Sequence, residues 1–134
     1  ASGNVIFDAR GAAAALEATI EEALRRALGY EVATFVRGLP ELQAVVEAAA
    51  AARAGAARAY VGFMKAPAPA AARRQVAALG GDGERFVFSG RELFWYTEGG
   101  VSDSTFSYAA LERATQSPAT FRNITTVMKI VEKY

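Results

Sequence analysis

Arg85-Phe86-Val87-Phe88-Ser89-Gly90-Arg91-Glu92-Leu93-Phe94-Trp95-Tyr96-Thr97 is the stretch that decides the fold. Two runs rich in aromatic and β-branched residues flank Gly90-Arg91, which predicts a hairpin with strands over 85–89 and 92–97. Toward the N-terminus, Gly80 and Gly81 close a weak helix over 70–79. Pro67 and Pro69 end a strand carrying Tyr60, Val61, Phe63 and Met64. Toward the C-terminus, a Gly-containing loop over 98–102 leads to Asp103 or Ser104, either of which suits the cap of a helix running to about Thr115. A short strand over 119–123 follows, and Ile124, Val127, Met128 and Val131 mark a closing helix.

From residue 59 the order is therefore strand, helix, strand, strand, helix, strand, which matches a ferredoxin-like βαββαβ split. Before it, 4–7 reads as a strand and 11–28 as a helix with Leu16, Ile20, Leu24 and Leu28 on one face, stopped by Gly29. Residues 30–37 read as a strand, and Pro40 opens a helix with Leu42, Val45, Val46 and Ala49 in a stripe. The first three of these look like the back half of the same unit. The expectation is thus an α+β protein of tandem ferredoxin-like halves with the first truncated: an incomplete half plus connecting helix over 1–54, and a second half with a C-terminal helix over 55–134.

Composition narrows the chemistry. The chain has 134 residues, a formal net charge of +1, and neither histidine nor cysteine. Disulfides, thiol nucleophiles, zinc fingers and Ser-His-Asp relays are excluded, and neither a metal site nor a cofactor is expected. Near-neutrality argues against nucleic acid. Apolar runs such as Ala48 to Ala52 fall far short of the roughly 20 residues of a membrane span, so no membrane association is expected, and without a charged-then-apolar leader the expected location is cytoplasmic. Alanine fills 31 positions, so helices bury little area per residue and the large core side chains must come from the strands.

Two segments carry a pattern beyond these periodicities. Ser2-Gly3-Asn4-Val5-Ile6-Phe7, together with Leu111-Glu112-Arg113 and Ala119-Thr120-Phe121-Arg122-Asn123-Ile124-Thr125-Thr126-Val127 ahead of Lys129, resembles the bacterial family described as domain of unknown function 1697. The resemblance covers essentially the whole chain in order. It implies a two-part α+β fold and no established activity. The family's form opens with a strand ending R-G-I-N-V-G-G, a helix and a strand before S-G-N, and here that strand-helix-strand is lacking. Its Ser-Lys pair before L-E-R reads Ser104-Thr105 in this chain.

Functional expectations follow from geometry. A helix over 104–115 is about 18 Å long and a five-residue strand about 16 Å, so an antiparallel return brings Arg122 and Asn123 level with Ser104. Helix N-termini, hydroxyls, an amide and a guanidinium would then meet, which suits a small anion or phosphate at Ser104, Arg122, Asn123 and Thr126. Against this stands capping by Asn123 and local packing of Arg122 on Glu112 or Phe121. Ser2, Gly3 and Asn4 form a polar turn that either binds a ligand or simply turns the chain.

The leading expectation is a non-enzymatic domain binding a small anionic ligand or a protein. One alternative is RNA binding through the aromatic sheet, prompted by Arg58-Ala59-Tyr60-Val61-Gly62-Phe63-Met64. The other is an enzyme using Glu84, Glu92, Glu98 and Asp103, for which no complete motif exists. Unpaired strand edges at 4–7 and 30–37 predict either a homodimer through such an edge or poor stability at the N-terminal end.

Overall fold

The computed structural model describes residues 3–81, 83–98 and 108–134. Among them are five helices and one four-stranded antiparallel sheet, an α+β architecture. Two compact units divide the chain, one ending at Val36 and the other starting at Arg37.

The first unit contains one helix, α1 (Ala13–Leu28), which ends where Gly29 adopts φ +81° and returns its N–H to the Arg25 carbonyl at 2.8 Å. The strands expected over 4–7 and 30–37 are not formed. The reason is visible in the hydrogen bonds of the second segment. The Glu17 carboxylate accepts from Val36 N–H at 2.7 Å and Glu21 from Thr34 N–H at 2.9 Å. Four helical residues rise about 6 Å and two extended residues about 6.6 Å, so two carboxylates one turn apart match two alternate amides. Side chains of α1 thus occupy donors that a neighbouring strand would otherwise use. On the same helix Arg25 and Arg26 both bind Glu22, at 2.6 and 3.0 Å.

The second unit begins with α2 (Leu39–Ala52), entered through Pro40, with Glu41 accepting from Gly38 N–H at 3.2 Å. Then come β1 (Arg58–Met64), α3 (Ala70–Ala77), β2 (Glu84–Ser89), β3 (Glu92–Thr97), α4 (Tyr108–Thr115), β4 (Ala119–Asn123) and α5 (Ile124–Lys133). Strand order is β2-β3-β1-β4. The hairpin closes through Gly90, at φ +56°, and Arg91, pairing Ser89 with Glu92.

Strand alternation sends side chains to two faces, and both are covered. Met64, Leu93 and Trp95 form a buried cluster with Val76 of α3 and Leu111 of α4. On the other face, Tyr96 donates its hydroxyl to the Ala49 carbonyl of α2 at 2.6 Å, and α2 packs against α5. Trp95, Tyr96, Phe94, Met64 and Leu93 are all essentially inaccessible, each contributing about 2–3 kcal/mol of burial. The buried aromatic residues Trp95, Tyr96 and Phe94 are thus supplied by strands, in keeping with the alanine content of the helices. Among the described residues no helix is long and apolar enough to cross a membrane.

Candidate functional site

Polar groups with donors to spare converge where α2 leaves its axis beside the start of β2. After the last helical residue, Ala54 and Gly55 take φ +49° and +80°, a left-handed exit that costs a non-glycine residue about 1 kcal/mol. Two arginines hold this exit. Arg53 donates from Nε to the Ala56 carbonyl at 2.9 Å and from Nη2 to the Ala57 carbonyl at 2.8 Å. Arg85 donates from Nη2 to the Ala52 and Arg53 carbonyls at 2.7 and 3.0 Å, placing a cation on the negative end of α2.

Arg85 also stacks over the Tyr96 ring at 4.5 Å, its direct cross-strand partner. Burial pushes the Tyr96 phenol above its ordinary range, and the charges of Arg85 and Arg53 pull it part of the way back. Both guanidiniums therefore act on one phenol. Together with Gly83, Glu84 and Glu98 these side chains line a depression of about 270 Å³. Glu84 is committed elsewhere, accepting from the Trp95 indole at 2.7 Å and from Gly81 N–H at 2.9 Å. Nη1 of Arg53, and Nε and Nη1 of Arg85, have no acceptor among the described residues. The depression thus offers forked donors suited to a carboxylate or phosphate.

A second polar centre is closed. Arg37, its side chain 3% exposed, donates from Nε to Glu92 at 2.9 Å and from Nη2 to the Met64 and Arg91 carbonyls, with its guanidinium over the Phe63 ring at 5.4 Å. Arg91 in turn binds Glu41 at 2.6 Å. Burial raises the Glu41 carboxyl, but hydrogen bonds from Arg91 and Gly38 and the charges of Arg91 and Arg37 outweigh it and leave the group below its ordinary value. This network fastens the start of α2 to the end of β1 and the start of β3.

The residues singled out in the sequence fall into three groups. Ser2 and Ser104 lie outside the described residues, as does Asp103. Gly3 and Asn4 are exposed residues of the first unit. Arg122 and Asn123 end β4 and Thr126 lies in the first turn of α5, and local bonds engage the first two. Arg122 donates from Nη1 to Thr120 Oγ1 at 2.7 Å and to the Phe121 carbonyl at 2.8 Å. Asn123 caps α5 by accepting from Thr125 N–H at 2.9 Å.

Of the carboxylates, Glu84 and Glu98 line the depression while Glu92 is held by Arg37. The aromatic residues do not form an open platform: Phe94, Trp95 and Tyr96 are buried, and Phe86 and Phe88 pack half-buried on the core cluster. Among the described residues no group of acidic side chains could hold a metal ion.

The Arg53–Arg85–Tyr96 grouping escaped the sequence reading. One signal was present, because a two-residue turn at Gly90-Arg91 sets Arg85 opposite Tyr96. Arg53 gave none, since its side chain is held by the Ala56 and Ala57 carbonyls, which follow the left-handed residues Ala54 and Gly55.

A family model described as protein of unknown function (DUF1697) matches residues 1–94. No curated protein matches the chain, and no solved structure does.

Proposed function

The chain belongs to the DUF1697 family of proteins of unknown function, and on that premise we propose that it is a non-enzymatic binding domain for a small anionic ligand held by Arg53 and Arg85 beside Tyr96. The observation that carries this reading is that Arg53 and Arg85, both bonded to the exit of α2, line one depression with donors left over after those structural bonds. A carboxylate or phosphate would accept from Nη1 of both arginines, and Glu98 on the rim favours a ligand that also carries a donor.

The same reading extends to architecture. The order β1-α3-β2-β3-α4-β4 with strands arranged β2-β3-β1-β4 supports a ferredoxin-like second half over 55–134. A duplicated arrangement, with an incomplete first half over 1–54, is the larger form of that proposal.

Calorimetric titration with inorganic phosphate, then with phosphorylated and carboxylated small molecules, tests the function. Saturable binding that weakens about tenfold or more in Arg85→Gln, while Arg122→Ala binds normally, is the expected result. Binding lost in Arg122→Ala instead would move the ligand to the β4–α5 junction, and no binding by any variant would overturn the reading.

A further inference from the structure

The other side of β2 carries a separate surface. β2 is an edge strand, paired with β3 alone among the described strands. The two-residue turn makes Ser89–Glu92 the first hydrogen-bonded pair, followed by Val87–Phe94 and Arg85–Tyr96. Phe88 lies between these pairs, so its backbone N–H and carbonyl face away from β3. Beside this edge runs a groove of about 360 Å³ between α3 and the Phe86 and Phe88 rings. It stays open because α3 presents Ala70 and Ala77 there, whose methyl groups are too short to cover two phenylalanines. The long side chains of the groove are Arg73 and Arg74, both exposed and without a side-chain hydrogen bond or ion pair to the described residues.

We infer that the β2 edge binds an extended acidic segment of a partner protein by strand addition. The main chain of the segment pairs with β2, its apolar side chains at alternate positions fill the groove over Phe86 and Phe88, and acidic side chains flanking them meet Arg73 and Arg74. Charge selects the partner. Two cations on the groove wall reject a basic strand, and the edge offers alternating N–H and carbonyl groups that a second polypeptide strand matches, whereas a phosphate backbone has no donor for the carbonyls. The site shares neither Arg53 nor Tyr96 with the anion-binding depression, so it stands or falls independently of that reading.

The test uses the intact chain and the peptide Glu-Thr-Leu-Thr-Leu-Thr-Glu, whose alternate positions place Glu, Leu, Leu and Glu on one side. Fluorescence polarisation gives the affinity and hydrogen exchange reports the Phe88 amide. Expected are saturable binding, new protection at Phe88, failure of the same peptide with N-methylated central residues, and roughly tenfold weaker binding when Arg73→Glu and Arg74→Glu are combined. Both arginines are exposed, so the double variant keeps its fold. No binding, equal binding of the Lys-ended peptide, tighter binding of oligouridine, self-association through β2, or indifference to the double reversal would each overturn the inference.

Discussion

The Arg37 guanidinium donates to the Glu92 carboxylate at 2.9 Å with only 3% and 12% of the two side chains exposed, joining the start of α2 to the start of β3. Removing one member leaves the other buried and uncompensated, which is costlier than the pair is stabilising. Arg37→Ala is therefore expected to lower stability by about 3 kcal/mol or more in denaturant unfolding. Replacing both, as Arg37→Met with Glu92→Leu, should restore much of the loss. A single variant within about 0.5 kcal/mol of wild type would show the pair to be a surface contact.

Gly62 sits directly opposite Phe121, and a Cβ placed on it would lie 2.7 Å from two atoms of the ring. Phe121 itself is wedged edge-on against Trp95 with ring centroids 6.4 Å apart, so it has little room to yield. Gly62→Ala should cost about 1–3 kcal/mol by overpacking. Adding Phe121→Leu should recover part of that in the same unfolding measurement.

Tyr96 gives a prediction at alkaline pH. Its phenol is raised by burial, so the folded state holds the proton more tightly than the unfolded state does. The resulting stability is complete below about pH 10, the ordinary phenol value, and is lost as pH rises through the folded value. Wild type should therefore lose stability above about pH 10 more steeply than Tyr96→Phe does. At neutral pH the variant should be about 1 kcal/mol less stable, having lost the bond to Ala49. Equal alkaline slopes would contradict the linkage.

Asn123 ends β4 and caps α5 through Thr125 N–H. Asn123→Ala should cost about 1 kcal/mol, and Asn123→Asp should cost little because a carboxylate caps equally well. Phosphate binding at the Arg53–Arg85–Tyr96 depression should be unchanged in both, which separates a capping role from a ligand role in one pair of variants.

Much of the sheet was legible because its signals are local. Aromatic runs around Gly90-Arg91 define the hairpin, and Pro67, Pro69 and Gly80-Gly81 punctuate β1 and α3. The β4–α5 junction was legible for the same reason, with Asn123 standing one residue before an amphipathic run. Residues 30–37 were misread because strand propensity at Val32, Thr34, Phe35 and Val36 says nothing about which acceptor the amides will find. Glu17 and Glu21 took two of them. The candidate site was less legible still. Arg85 is readable as the partner of Tyr96 only once register is known, and the bonds that hold the Arg53 side chain depend on the positive φ of Ala54 and Gly55, which no local signal announces.

The central claim is that Arg53 and Arg85 hold an anion beside Tyr96. Arginine side-chain Nε–H signals followed by ¹⁵N NMR during a titration with inorganic phosphate test it most directly. The account predicts a saturable shift at Arg85, accompanied by the backbone amide of Tyr96, while Arg73 and Arg122 stay in place. Shifts that are absent, linear in phosphate, or alike at every exposed arginine would contradict it.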